Sequence, residues 1–234
     1  MRFRSATIAL LTFCFVAMLA PSITYAEEGK IKIGVLYDYE DFRNNDVGLS
    51  FFSSYGGLVL GYEKAQDDFW WAVNGKYKYG RLASEKVKVD IATAEGQGVI
   101  GKSFDISGVL VKPFVGLGLS WEAQDGVGSN DFYATEYLLP VGVRVERNTG
   151  IGLLGLDLQF TYVLGREIYG TDEGHYWGRR FFDGSYNVEA GVYYEAPGVP
   201  VGFRPYFKYE KWQPTKYWSQ VERKHIGFEA YLKF

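Results

Sequence analysis

The feature that most constrains this chain is an alternation of apolar and polar residues with a period of two, which recurs in segments of roughly ten residues. Between residues 30 and 40, for example, Ile33, Val35 and Tyr37 fall on one face, while Lys32 and Asp38 fall on the other. Such a pattern is typical of β-strands, because successive side chains of a strand point to opposite faces of the sheet. The 29 glycines and 19 tyrosines also favour strands and turns over helices.

Ten segments show this alternation, and each predicts one strand. They span residues 30–40, 55–63, 69–80, 103–110, 113–122, 135–146, 151–165, 185–195, 203–210 and 225–234. The connections between them are alternately long and short, and short ones such as 147–150 contain turn-forming residues. We therefore predict an all-β fold, a single closed antiparallel barrel of ten strands in up-and-down meander order, with eight or twelve strands as alternatives.

The positions of the charged residues indicate which face of the barrel meets which environment. Every charged residue within the ten spans lies on the face opposite the apolar row. Turned inward, apolar rows with rings such as Trp71, Tyr77 and Tyr79 would overfill a closed soluble barrel. Turned outward, they contact lipid. We therefore predict a transmembrane barrel with short periplasmic turns, long extracellular loops and both termini in the periplasm. The longest connection, 81–102, is expected to continue above the membrane as a hairpin.

The first 26 residues have the composition of an export signal rather than of a strand. Arg2 and Arg4 precede an uncharged apolar stretch that is short for a membrane span, and small residues follow it. We predict a secretory signal peptide over 1–26 and the barrel over 27–234, with an uncleaved anchor as the alternative. The single cysteine, Cys14, lies within the signal peptide, so the exported chain is predicted to carry no thiol.

The C-terminal segment carries a resemblance to a known family. The run from Ile226 to Phe234 alternates apolar and other residues and ends on an aromatic residue. It resembles the closing strand of bacterial outer-membrane β-barrel proteins, and the segments 113–118 and 141–145 are similar to strands of small porin-like barrels. The resemblance implies an integral protein of the Gram-negative outer membrane. It also implies that Phe234 is an assembly signal, and that outer-membrane lipid, the assembly machinery and periplasmic chaperones are partners.

The polar face of the predicted barrel supplies a candidate charge network in the lumen. Its members are Lys32, Asp38, Lys76, Lys78, Asp105, Glu136, Arg144, Asp157, Glu189, Arg204, Lys208 and Glu229. Barrels of eight strands are filled by their own side chains, and barrels of sixteen hold open water. Ten strands therefore predict a lumen that is mostly plugged by paired charges. The alternative is a narrow pore, which the small acidic surplus would make cation-selective.

Few residues suggest catalysis. The exported chain has two histidines, His175 in the loop after the seventh strand and His225 on the inward face of the last. We find no metal-ligand spacing and none of the motifs of outer-membrane proteases, so no cofactor and no catalytic residue is predicted. The net charge of −3 is too near balance for a nucleic-acid partner.

Proteins of the resembled family include adhesins, channels, enzymes and plain structural proteins, so the fold alone does not select a role. The sequence favours a structural or adhesin-like surface role through long extracellular loops, toward an unknown ligand. A narrow porin-like channel is the alternative, and an outer-membrane hydrolase or lipid-modifying enzyme ranks third.

Overall fold

A computed structural model describes residues 29–44, 49–83, 88–125, 132–170, 176–214 and 220–234. The predicted signal peptide and His175 lie outside these ranges. The described chain forms twelve strands: β1 (Lys30–Asn44), β2 (Leu49–Gln66), β3 (Phe69–Ala83), β4 (Lys88–Lys102), β5 (Phe104–Ile106), β6 (Val109–Asp125), β7 (Phe132–Thr149), β8 (Gly152–Gly170), β9 (Tyr176–Phe181), β10 (Tyr186–Glu195), β11 (Val201–Trp212) and β12 (Val221–Lys233).

These strands form one closed sheet. Its order is β10, β11, β12, β1, β2, β3, β4, β6, β7, β8, and the pairing of β10 with β8 completes the ring. Every pairing is antiparallel; β5 pairs with β6 below β4, and β9 pairs with β8 above β10. The prediction of a closed ten-stranded meander is therefore confirmed, with two short strands added. None of the described residues forms a helix of the length and hydrophobicity needed to cross a bilayer.

The predicted strand over 103–110 is wrong. The fourth long strand is β4, which occupies most of the segment 81–102 that we had expected to form an extracellular hairpin. Ser107 and Gly108 instead reverse the chain between β5 and β6, both with positive φ, as a two-residue hairpin turn of type I′ requires. The error arose because the outward face of β4 carries small residues, such as Ala94 and Gly96, that make no recognisable apolar row.

The outer face of the barrel is a continuous apolar belt with charged edges. On β1, Ile33, Val35 and Tyr37 are each about half exposed, and similar rows lie on the other long strands except β4, whose outward residues are mostly small. We call the end that holds Gly29 and Phe234 the lower end. Outward-facing charged residues border the belt: Asp41, Arg43, Arg81, Asp90, Lys211 and Lys224 at the upper edge, and Lys64, Lys102 and Arg147 at the lower edge. About ten residues at roughly 3.3 Å each, tilted by about 45°, give the belt a height of roughly 24 Å.

Above the belt, the long strands continue and their inward face becomes apolar. A cluster of buried side chains fills the upper end of the barrel, and we call it the cap: Phe42, Tyr55, Ile91, Phe132, Ala134, Ile168, Trp212 and Val221. These residues come from seven different strands around the ring. The strands are longer than predicted, so the interval between β1 and β2 shrinks to residues 45–48 and that between β3 and β4 to residues 84–87.

Candidate functional site

Below the cap, the lumen is occupied by ion pairs, and Arg204 on β11 is central to the lower part. Its guanidinium nitrogens lie 3.0 Å from Asp157, 2.6 Å from Glu189 and 3.2 Å from Glu229. These three carboxylates belong to β8, β10 and β12. One arginine thus neutralises carboxylates from three other strands, and its planar head with several donors suits that role. We call this cluster and its neighbours the lower network.

Two lysines complete the lower network, one from the neighbouring strand β1 and one from β3 across the ring. Lys76 on β3 lies 3.0 Å from Glu229 and 3.5 Å from Glu189, and Lys32 on β1 lies 2.8 Å from Glu229. β3 and β10 face each other across the ring, because four strands separate them in each direction around the barrel. The contact between Lys76 and Glu189 therefore crosses the lumen.

A second group of ion pairs adjoins the lower network, and its contact between Arg144 and Glu63 crosses the lumen. Arg144 on β7 contacts Glu63 on β2 at 2.8 Å and Asp157 at 2.9 Å. Lys112 lies 2.7 Å from Glu146, whose carboxylate also accepts a hydrogen bond of 2.6 Å from the hydroxyl of Tyr193. Buried charges must be paired to offset the loss of hydration, and this group meets that requirement.

The upper network lies between the lower network and the cap. Lys78 lies 2.7 Å from Asp38, and the same carboxylate lies 3.2 Å from Nδ1 of His225. Lys208 on β11 contacts Glu210 at 2.7 Å and also Glu95 on β4, across the lumen, at 3.1 Å.

Two arginines join the upper network to the cap. Arg223 on β12 donates a hydrogen bond of 2.9 Å to Glu122 on β6, on the opposite side of the barrel. Arg166 lies 2.6 Å from Glu136. Their guanidinium carbons lie 4.3 Å and 4.0 Å from the ring centroid of Trp212, so the indole is held between two cations. The cap and the upper network therefore share their contacts.

Two small cavities lie in the lumen among the residues that the structure describes. The lower has a volume of about 110 Å³ and the upper about 40 Å³. Both are lined by Lys76 and Glu189, which lie between them. Because one water molecule needs roughly 10–15 Å³ on this scale, the upper cavity has room for a few waters.

The structure brings together all of the predicted lumen residues except Asp105. Those that it brings together are Lys32, Asp38, Lys76, Lys78, Glu136, Arg144, Asp157, Glu189, Arg204, Lys208 and Glu229. Asp105 is a correction: it is exposed in β5, and its Oδ1 accepts a hydrogen bond of 2.8 Å from the backbone N–H of Gly108. A carboxylate two residues before a tight turn caps that turn locally, and β5 lies below the lumen.

Four charged residues of the networks lie outside the ten predicted strands, so the sequence did not place them in the lumen. Lys112 fell in a connection between two predicted strands, and Glu95 fell in the segment predicted as a loop. Arg166 and Arg223 lie just beyond the predicted ends of their strands. If the alternation of the last strand is extended two residues before its predicted start, Arg223 falls on the inward face with His225.

The predicted histidines do not form a site that a large substrate could reach. His225 is only 2% exposed and lies against Asp38 beneath the cap, and His175 lies outside the described residues. Among the residues that the structure describes, no group of three or more histidine or carboxylate side chains is arranged to hold a metal ion.

Comparisons with known proteins agree with this architecture. No protein-family model matches the sequence, and no curated protein matches it. Among solved structures, the outer membrane protease OmpT from Escherichia coli superposes with a TM-score of 0.59, covering 92% of this chain and 99% of OmpT at 8% identity. This chain has the fold of outer-membrane β-barrel proteins. At this identity, the similarity to OmpT concerns the fold and not the protease activity.

Two other solved structures also align with this chain. The alignment with Neisserial surface protein A covers 89% of this chain and 100% of that protein, at 13% identity and a TM-score of 0.47. The attachment invasion locus protein Ail of Yersinia pestis has the same coverage and identity, with a TM-score of 0.37.

Proposed function

We propose that this chain is an integral barrel of the bacterial outer membrane, with its lower end and both termini in the periplasm after removal of a signal peptide. The apolar belt supports this proposal, because it spans about ten residues of a long strand, the length with which tilted strands cross the lipid-facing band of outer-membrane barrels. The fold shared with OmpT supports it as well. A chain stripped of its leader should then need detergent to stay monodisperse, and detergent-free solubility would contradict this placement.

We further propose that the barrel does not conduct and serves as a rigid structural or surface-interaction platform. One observation carries this proposal: charged side chains from opposite strands meet across the lumen, as Lys76 does with Glu189 and Arg223 with Glu122. A water-filled pore of this strand number would need these pairs to part. The cap adds an apolar barrier above them.

Conductance in planar bilayers tests the closed lumen against the narrow-channel alternative. Wild-type protein should give no steady unitary current. The double variant Lys76→Ala, Trp212→Ala removes one cross-lumen lysine and the central ring of the cap, and it should conduct intermittently. Lys211→Ala, on the outer face, is the matched control and should remain silent. Steady wild-type currents whose ion selectivity changes in Lys76→Ala would establish a channel instead.

Exposed rings at the upper end support the surface-interaction role. Phe181 and Phe182 are 55% and 69% exposed, and the neighbouring Arg179 contacts Glu167. Exposed apolar side chains on a rigid scaffold often mark binding surfaces. Replacing both phenylalanines with serine should reduce the attachment of expressing cells to a host-cell or matrix surface, at an unchanged amount of folded barrel. Unchanged attachment would exclude this surface.

We do not propose catalysis by His225, because the cap separates it from macromolecular substrates. His225→Gln is therefore expected to leave any surface hydrolase activity of expressing cells unchanged. A loss of such activity, with the barrel still folded, would favour the enzyme alternative.

We propose that Phe234 takes part in recognition by the outer-membrane assembly machinery. Its backbone N–H donates to Ile31 at 2.9 Å and its carbonyl accepts from Ile31 at 2.8 Å, so it closes the seam between β12 and β1. Its ring is 63% exposed, in the outward row with Phe228 and Leu232. Phe234→Ala should lower the folded fraction in the outer membrane, whereas Val199→Ala, in an exposed lower turn, should not.

A further inference from the structure

The β5–β6 hairpin extends the outer face of the barrel below the level of the neighbouring strands. β3 begins at Phe69, which pairs with Lys102 at the end of β4. β5 continues the pairing with β6 beyond that level, and Ser107 and Gly108 then reverse the chain. The hairpin therefore projects past the lower edge of β3.

The outward side of this projection is apolar and continuous with the belt. Ile100, Phe104 and Ile106 share one face of β4 and β5, and they are 65%, 46% and 60% exposed. Phe69, on the adjacent strand, is 66% exposed. Lys102 lies within this apolar row, between Ile100 and Phe104. The apolar outer surface thus extends below Lys102 at the lower edge of the belt.

Lys102 is placed between two aromatic rings. Its Nζ lies 5.7 Å from the ring centroids of both Phe69 and Phe104, and 3.7 Å from Oδ2 of Asp68, whose side chain is 71% exposed. Lys64 is a second outward lysine at this edge, in register with Trp71. The two lysines therefore flank a small platform of rings where hydrocarbon gives way to headgroups.

Two cations at the upper edge of the belt, Arg43 and Arg81, are arranged differently. Arg81 lies 2.7 Å from Asp90, and Arg43 lies 2.9 Å from Asp41. These arginines are held by carboxylates of the chain itself. The carboxylate nearest to Lys102 is more distant, so the ammonium can exchange it for an external anion. Lysine suits a phosphate as a mobile point charge on a flexible stem.

We propose that Lys64 and Lys102, with the rings of Phe69, Trp71 and Phe104, bind the phosphodiester headgroup of an anionic glycerophospholipid in the inner leaflet. This inference rests on the proposed function, because it requires the lower end to lie at the periplasmic leaflet. The rings contact the glycerol and the acyl chains of the lipid at the interface. The two ammonium groups attract its phosphate.

Native mass spectrometry of the folded full chain, released from detergent, tests the site. Phosphatidylglycerol should be retained as a bound lipid in preference to phosphatidylcholine. The variant Lys64→Gln, Lys102→Gln should bind phosphatidylglycerol about tenfold more weakly, since each basic side chain near an anionic lipid contributes to its affinity. Lys211→Gln, Lys224→Gln removes two outward lysines from the upper edge and should bind as the wild type does. Glycerol 3-phosphate in excess should not displace the lipid.

Equal retention of the two lipids, equal binding by the lower-edge variant and the wild type, or an equal loss in the upper-edge control would each overturn the proposal. Displacement by glycerol 3-phosphate would indicate a soluble phosphate ligand instead and would also overturn it. Heat-modifiable gel migration verifies that each variant is folded, so loss of lipid cannot be confused with loss of the barrel. Conductance and detergent dependence are read separately, so the failure of this site is distinguishable from the failure of the proposed function.

Discussion

The part of the barrel within the apolar belt and the part above it use the same strands with opposite polarity. On β1, Tyr37 points outward and is 56% exposed, while Asp38 points inward and is fully buried. A few residues further along, Phe42 points inward and is 7% exposed, while Arg43 points outward. The pleat of the strand is unbroken between these pairs. What changes is the medium outside: an apolar row is favoured against lipid, and a charged row is favoured against water.

The comparison shows that the two parts are held together by different forces. Above the belt, the cap is a small hydrophobic core of the kind found in soluble proteins, and it is stabilised by removal of apolar surface from water. Within the belt, the interior is a set of ion pairs whose members cannot be removed singly without leaving a buried charge unpaired. Closure of the lumen therefore has two causes, one apolar and one electrostatic, which are coupled where the arginines of the upper network contact Trp212 of the cap.

The largest effect is expected where one cation serves several carboxylates. Arg204→Ala leaves Asp157, Glu189 and Glu229 short of a partner in the lumen, and it should lower the free energy of unfolding by about 3–5 kcal/mol. Reversible unfolding in guanidinium from lipid vesicles measures this cost. Lys211→Ala, on the outer face, is the control and should change stability by less than about 0.5 kcal/mol. If Arg204→Ala lowers the free energy of unfolding no more than Lys211→Ala does, the lower network is not essential within the belt.

A smaller effect is expected in the cap, where a matched pair of phenylalanines tests its apolar character. Phe42 lies inside the cap, and Phe52 on β2, which pairs with the adjacent residue Asp41, is 53% exposed outside. Phe42→Ala should cost about 3 kcal/mol, because it leaves a cavity among buried side chains. Phe52→Ala should cost less than about 1 kcal/mol, the contribution of its stacking on Tyr39. Equal costs in the same unfolding assay would show that the inward face above the belt is not a core.

The sequence predicts most of the part within the apolar belt. The reason is that the charge of a residue, and the face of the strand on which it lies, can both be read from the neighbouring residues. Lys76 and Lys78, two residues apart on a strand whose other face is aromatic, define an inward row without any knowledge of partners. Which carboxylate each lysine meets depends on strand tilt and stagger around the closed ring, and no local pattern contains that information. The contact of Lys76 with Glu189 could not be predicted for this reason.

The cap and β4 were missed because they break the pattern that identified the other strands. Phe42 and Trp212 are apolar residues at positions that belong to the charged face of their strands, so the alternation of apolar and polar residues ends before them. The outward residues of β4, such as Ala92 and Ala94, are small, so its apolar row gave no signal. Both failures follow from treating one polarity as valid along the whole strand, although the environment of a strand changes along its length.

A lysine introduced on the outer face should lower the free energy of unfolding by about 2 kcal/mol more within the apolar belt than above it. Val35 is 57% exposed on the belt, and Val35→Lys would place an ammonium group against lipid. We expect the lower end of the known range for such changes, because a lysine stem can extend toward the interface. Ser50→Lys, on the outward face of β2 above the belt, should be nearly neutral. If both variants unfold at the same guanidinium concentration in vesicles, the outer face above and within the belt has the same solvent.

The smallest expected effect concerns the charged outer surface above the belt. A hydrogen bond from the Arg81 guanidinium, at 2.7 Å, lowers the pKa of Asp90 below its ordinary value. Because the carboxylate form is the one favoured in the folded chain, the pair contributes stability above about pH 4, and this contribution is lost as the pH falls through the lowered pKa. NMR titration of the Asp90 side chain should show the lowered pKa in the wild type and a normal one in Arg81→Gln. Raising the salt concentration from about 0.1 M to about 1 M shortens the Debye length from about 10 Å to about 3 Å. The shift should therefore shrink in the wild type if this surface faces water, and a shift that salt leaves unchanged would place Asp90 inside the apolar belt.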